Sequence, residues 1–284
     1  MNVHAEQAKR GQLVDVGGYR LSVAVSGEGG PPVVYLGGLS LDDPGDDHDI
    51  DPGNEWRFMI AESGVSTATV RYDRAGVARS DPAPEHLRPG GAVAAAAELQ
   101  RLLSAVGVAE PVVLVGHSLG ARVAEMFARD HPERTAGAVL IDPTPYRFGG
   151  DREDSHRREG RGGRIFDERF DVDPAAYHRP FPPVPVVVLA SAVGRWLHTP
   201  AERYTLPIPM AEADKLWQRR QREAAERVAA VQVIAHTAGH AVHRDAPALV
   251  ARVVEAVVLA AQQSGGLVLD PDEIDHAGGR LVLA

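Results

Sequence analysis

A chain of 284 residues, 44% of them hydrophobic, is expected to fold as one α/β domain with a core of ordinary size. It holds no unbroken apolar run of about 18 residues, so no membrane span is expected. The net charge of −9 argues against nucleic-acid binding, which needs a basic face, and the lack of cysteine excludes disulfides, thiolate nucleophiles and thiolate metal ligands. An N-terminus without an apolar core leads to the expectation of a cytoplasmic protein.

Taken in chain order, the runs LVDV and YRLSVAVSG flank Gly17 and Gly18 and read as a hairpin. Apolar runs follow at PVVYLGG, TATVRYD, PVVLVGHS, AGAVLIDP, VPVVVLA and VQVIAHTAGH, without polar alternation, as in strands covered on both faces. Between them lie GGAVAAAAELQRLLSAVG, LGARVAEMFARDHPE, MAEADKLWQRRQREAAERVAA and DAPALVARVVEAVVLAAQQ, with apolar residues at helical spacing. This alternation predicts an α/β fold: a mostly parallel eight-stranded sheet with helices on both faces, its core spanning about 13–143 and 184–262.

Three segments break the rhythm. Residues 42–51 hold six aspartates and His48 and read as a solvated acidic loop; a metal site or a cationic-substrate attractor are the alternatives, although the spacing does not fit an EF-hand. Residues 144–183 read as an inserted lid, whose eight arginines and eight acids predict surface salt bridging rather than an anion site. The extension 264–284 places two short apolar runs around an acidic turn and reads as a hairpin of unassigned role.

The chemistry is concentrated at GHSLG, residues 116–120, where a β-branched run turns into a helical pattern with a serine between two glycines. This is the G-x-S-x-G nucleophile elbow in its strand-turn-helix setting. Together with VVYLGGLS before it, and RYDRAGVARSD and AGHAVHRDAP in order around it, the motif resembles the α/β-hydrolase superfamily over about residues 13–262. The resemblance implies Ser118 as nucleophile and His240 as its base, with His117 and His243 structural. It implies an oxyanion hole from the backbone N–H groups of Leu119 and Leu39, in a loop whose usual His-Gly pair reads Gly37-Gly38 here.

In the commonest version of the family the acid follows the seventh strand, but residues 184–200 contain no Asp or Glu. Some relatives carry it after the sixth, which points to Asp142, with Glu202 or no acid at all as alternatives; an Asp before Pro also simply ends a strand. The polar residues of 71–81 are expected to brace the neighbouring loop, and Trp56, Trp196 and Trp217 to pack, with Trp196 and Leu197 alternatively lining an acyl pocket.

No cofactor and no metal are expected. The expected partner is a small-molecule substrate, with neither nucleic acid nor membrane, and the oligomeric state is unspecified. Two functions fit the resemblance. One is hydrolysis of a carboxylic ester, thioester or lactone through an acyl-serine. The other is a non-hydrolytic role as cyclase, acyltransferase or ligand receptor. Serine rather than aspartate at the elbow argues against the dehalogenase and epoxide-hydrolase branches.

Overall fold

The computed structural model describes residues 11–40, 53–64, 66–145, 156–160, 162, 165–167, 179–198, 208–263 and 266–282. The acidic stretch 42–51, Glu202 and most of the insertion lie outside the described residues. Strands β1 (Gln12–Asp15) and β2 (Arg20–Ser26) pair antiparallel, from Gln12 opposite Val23 to Asp15 opposite Arg20. Gly17 and Gly18 turn the chain at φ 108° and 93°, and the Asp15 carboxylate accepts both of their N–H groups.

Strands β3 (Val33–Leu36), β4 (Thr69–Tyr72), β5 (Val112–His117) and β6 (Thr135–Ile141) form the middle of the sheet. The short strands β7 (His156–Arg158) and β8 (Ile165–Asp167) pair with each other in a separate hairpin inside the insertion. Strands β9 (Val186–Ala190), β10 (Val231–Ala235) and β11 (Gly279–Val282) complete a nine-stranded sheet in the order β1-β2-β4-β3-β5-β6-β9-β10-β11. From β4 to β10 all neighbours run parallel, and the outer pairs are antiparallel.

The helices are α1 (Arg57–Glu62), α2 (Gly91–Ala105), α3 (Leu119–Asp130), α4 (Met210–Arg227), α5 (Val242–Asp245), α6 (Pro247–Gln263) and α7 (Pro271–His276). Successive residues of a strand face opposite sides, so β5 feeds two cores. Val112 and Leu114 pack with Leu99, Leu102 and Phe127 of α2 and α3, whereas Val113 and Val115 pack with Met59 of α1 and Val250 and Val254 of α6. Both faces are covered, which is why the central strands are apolar throughout. Each such buried Val or Leu contributes about 1.5–3 kcal/mol relative to exposure. No helix among the described residues is long and apolar enough to cross a membrane.

The sheet has nine strands and not eight. In the C-terminal extension the Asp270 carboxylate caps α7 by accepting the Asp272 N–H, Pro271 occupies the first turn, and Ile274 is buried. The following GRLV run pairs antiparallel with β10. The expected hairpin does not form because an open sheet edge offers that run a ready-made ladder, and pairing there covers an edge that would otherwise be exposed.

Candidate active site

Parallel strands deliver their C-terminal ends to one edge of the sheet, and the loops after β3, β5, β6, β9 and β10 meet there. Ser118 sits at φ 54°, ψ −112°, a conformation rarely adopted by a residue with a side chain and one that the surrounding structure must enforce. The flanking glycines permit it: a Cβ at Gly120 would collide with the Leu36 and Gly37 carbonyls, and one at Gly116 with the backbone of Gly120.

The Ser118 Oγ lies 2.9 Å from His240 Nε2, and His240 Nδ1 lies 2.7 Å from Asp142 Oδ2. The structure therefore brings together the three side chains singled out in the sequence, from loops 24 and 98 residues apart (142 − 118 and 240 − 142). Asp142 is fully buried and, like Ser118, has a positive φ, 41°. Its Oδ1 accepts the Ser191 N–H at 2.9 Å, the Ser191 hydroxyl at 2.8 Å and the Trp217 indole N–H at 2.9 Å, which leaves Oδ2 for the imidazole. Burial works against charge on Asp142. The hydrogen bond and charge of His240, the Arg195 guanidinium 3.8 Å away and the Ser191 N–H outweigh it and hold the carboxyl below its ordinary range.

Arg195 occupies the loop after β9, where the commonest relatives carry an acid. Its guanidinium stacks between the Trp196 and Trp217 rings at 4.3 and 4.2 Å. Trp196 is buried against Trp217, the expected packing role, while Leu197 is exposed. Trp217 does more than pack, since it both donates to Asp142 and meets the His240 ring edge-on, with ring centroids 5.6 Å apart.

His117, fully enclosed within the elbow, donates its Nε2–H to the His240 carbonyl at 2.8 Å. Burial, with His240 and His243 close by, pushes its pKa well below that of free histidine, so the ring is held neutral. His243 stacks on Trp56 and lies 3.5 Å from the Glu55 carboxylate. Glu55 occupies space that a side chain at residue 37 would take, because a Cβ on Gly37 would collide with its Oε1. Among the described residues Glu55, His117 and His243 form the one set whose ligand atoms approach closely enough, within 4.8 Å, to consider for a metal.

The loop of residues 37–40 passes beside the elbow: a Cβ on Gly38 would lie 3.5 Å from Ser118 Cβ. Among the described residues the N–H groups of Leu39 and Leu119 have no acceptor. The loop 71–81 is tied to β2 by Arg20 paired to Asp81 at 2.8 Å and the Ser22 N–H donating to the Ser80 hydroxyl, and it holds this corner through Arg74, whose Nη1 donates to the Gly37 carbonyl at 2.8 Å. Sequence reasoning missed Glu55, Ser191, Arg195, the donor role of Trp217, and Thr144, whose hydroxyl lies 2.7 Å from Ser118 Oγ. Thr144 stands two residues beyond Asp142, which was the available signal; the others carry no local pattern.

Curated proteins similar to this chain include two that align with about half of it. A "Probable transporter efuK" from Hormonema carpetanum is 30% identical over 155 residues, which is 50% of this chain and 20% of that protein. The "Dihydrolipoyllysine-residue acetyltransferase component of acetoin cleaving system" from Cupriavidus necator is 30% identical over 151 residues, 52% of this chain and 35% of that protein. The chain thus spans well under half the length of these relatives.

Among solved structures, a thermophilic esterase from Thermogutta terrifontis superposes with a TM-score of 0.61 at 17% identity over 88% of this chain and 98% of its own. Est816, described as an N-acyl homoserine lactone degrading enzyme, reaches 0.59 at 15% identity over 86% and 98%. The thioesterase domain from the curacin biosynthetic pathway reaches 0.58 at 15% over 86% and 98%. At these identities the likeness is one of fold. The sequence model of the alpha/beta hydrolase family matches residues 33–253, the span that carries the elbow, Asp142 and His240, and the chain belongs to that family.

Proposed function

We propose that this protein is a serine hydrolase that cleaves a carboxylic ester, thioester or lactone of a small molecule. The observation that carries this reading is the unbroken chain from Ser118 Oγ through His240 to Asp142, at 2.9 and 2.7 Å. Asp142 accepts the Nδ1–H of His240, which leaves the Nε2 lone pair facing Ser118. As Ser118 Oγ attacks the carbonyl carbon, its proton passes to Nε2, and the carbonyl oxygen takes up the negative charge between the Leu39 and Leu119 N–H groups. Collapse expels the alcohol, thiol or ring oxygen, which leaves with the proton from Nε2. Water, deprotonated by the same nitrogen, then releases the acid and regenerates Ser118. No metal or cofactor enters these steps. Residues 144–183, whose first described residue touches Ser118, act as the lid that sets substrate range.

The test is incubation with p-nitrophenyl acetate and butyrate and with a fluorophosphonate probe. Wild-type protein is expected to be labelled and to turn over, and Ser118→Ala to do neither while melting as the wild type does, with a rate loss of about 10⁶. Full turnover by Ser118→Ala would overturn the acyl-serine mechanism. Labelling without turnover of any ester would support the non-hydrolytic alternative.

A further inference from the structure

A buried ion pair joins the insertion to the oxyanion loop. The Arg74 guanidinium and the Glu159 carboxylate, 5% and 0% exposed, are bound twice, Nε to Oε2 at 2.8 Å and Nη2 to Oε1 at 2.5 Å. The remaining donors of Arg74 go to backbone: Nη1 to the Gly37 carbonyl at 2.8 Å and Nη2 to the Gly38 carbonyl at 2.5 Å. Glu159 Oε1 also accepts the Ser40 N–H at 3.1 Å, and the Gly160 N–H donates to the Ser40 carbonyl at 3.1 Å. The insertion is seated flush at this point: Gly160 has φ 54°, and a Cβ there would collide with the Gly76 carbonyl.

These contacts converge on Leu39. The Gly38 carbonyl and the Leu39 N–H belong to one planar trans peptide, so they point in opposite directions. A guanidinium that holds the carbonyl therefore aims the N–H the other way, and the Ser40 contacts stop the next peptide from rotating with it. We propose that Glu159 is a positioning residue: through Arg74 it orients the Gly38–Leu39 peptide as an oxyanion donor, so that turnover requires the insertion to be seated. This rests on the hydrolytic reading above, with Leu39 as donor. Arg74 without its partner would be a buried, uncompensated charge, and its hold on the two carbonyls would be lost with it. The effect belongs to the transition state, because the N–H meets negative charge only as the tetrahedral intermediate forms.

Glu159→Gln keeps the side-chain shape and an acceptor for Ser40 but removes the charge. With p-nitrophenyl butyrate its kcat is expected to fall by about 10- to 100-fold, toward the loss seen when one oxyanion donor is deleted, while KM stays within about twofold. Affinity for phenylboronic acid, which forms a tetrahedral adduct on serine, should fall in parallel, and Glu159→Asp should recover part of both. If Glu159→Gln does not fold, the double variant Arg74→Met, Glu159→Met removes both charges and carries the test, with the same loss of kcat and boronate affinity expected. Wild-type kcat and boronate affinity in the folded variant would overturn the role of Glu159. Absence of both probe labelling and ester turnover in the wild type would instead overturn the hydrolytic reading, and this inference with it.

Discussion

Replacing Asp142 by Asn isolates one proton. The Asn oxygen can still accept from Ser191 and Trp217, which turns the Asn NH₂ toward His240 Nδ1. That nitrogen must then carry the lone pair, and the proton moves to Nε2, the atom that has to accept from Ser118. The expected result is a folded protein with kcat for p-nitrophenyl acetate lowered by about 10⁴. Near-normal turnover would reject Asp142 as the orienting acid. Thr144 supplies a smaller effect of a different kind. In the proposed mechanism the Ser118 proton faces His240, which makes the Thr144 hydroxyl, 2.7 Å from Ser118 Oγ, the donor of that pair. Thr144→Val should lower kcat by about tenfold, or ~1.4 kcal/mol of barrier, and Thr144→Ser should restore it. Equal rates in the two variants would rule that contribution out.

The C-terminal extension departs from its local pattern, and one residue of the insertion departs from the expectation for its segment. The C-terminal extension has too little apolar surface to be stable as a free hairpin, but as helix plus edge strand it buries Ile274 in the core shared with Val233, Leu249 and Val253. Ile274→Ala should cost about 2–4 kcal/mol and lower Tm by about 5–10 °C in a thermal melt, with kcat at 25 °C unchanged because β11 lies four strands from β5. An unchanged Tm would mean that the extension is not part of the cooperative fold. In the insertion, Arg179 forms an exposed pair with Asp130, as the balanced charges suggest. Glu159 does not follow that expectation. Its carboxylate is buried against the Arg74 guanidinium, and the composition of the segment carries no trace of that pairing.

At the scale of the molecule, the buried neutral His117 couples stability to pH. Its folded pKa is depressed, so between that value and about 6.5 the unfolded chain binds a proton that the native protein does not. Stability from this site is complete above about pH 6.5 and is lost as pH falls below it. Asp142 acts in the same sense at lower pH: its contribution is present above the unfolded value near 3.9 and disappears as pH falls through the lowered folded value. Melts of the wild type should therefore show Tm declining in two steps on acidification. His117→Gln, which can still donate to the His240 carbonyl, should flatten the first step and leave the second. A first step of unchanged slope would assign it to other histidines.

The sequence by itself determined eight strands of the sheet, its four long helices and the elbow, because these are local codes: a period of residues, a run of β-branched side chains, a serine between glycines. For the acid it showed only that the loop after β9 is empty of carboxylates; Asp142 came from the resemblance, with Glu202 or no acid left as alternatives, and the 2.7 Å approach of its Oδ2 to His240 Nδ1 is visible only in the tertiary structure. Tertiary structure alone decided what surrounds those groups. Trp217 reaches Asp142 across 75 residues, Glu159 reaches Arg74 across 85, and β11 finds β10 across the three helices α5, α6 and α7. Such contacts depend on how separated segments pack at the sheet edge, and a single Trp, Glu or short apolar run carries no periodicity that records its partner.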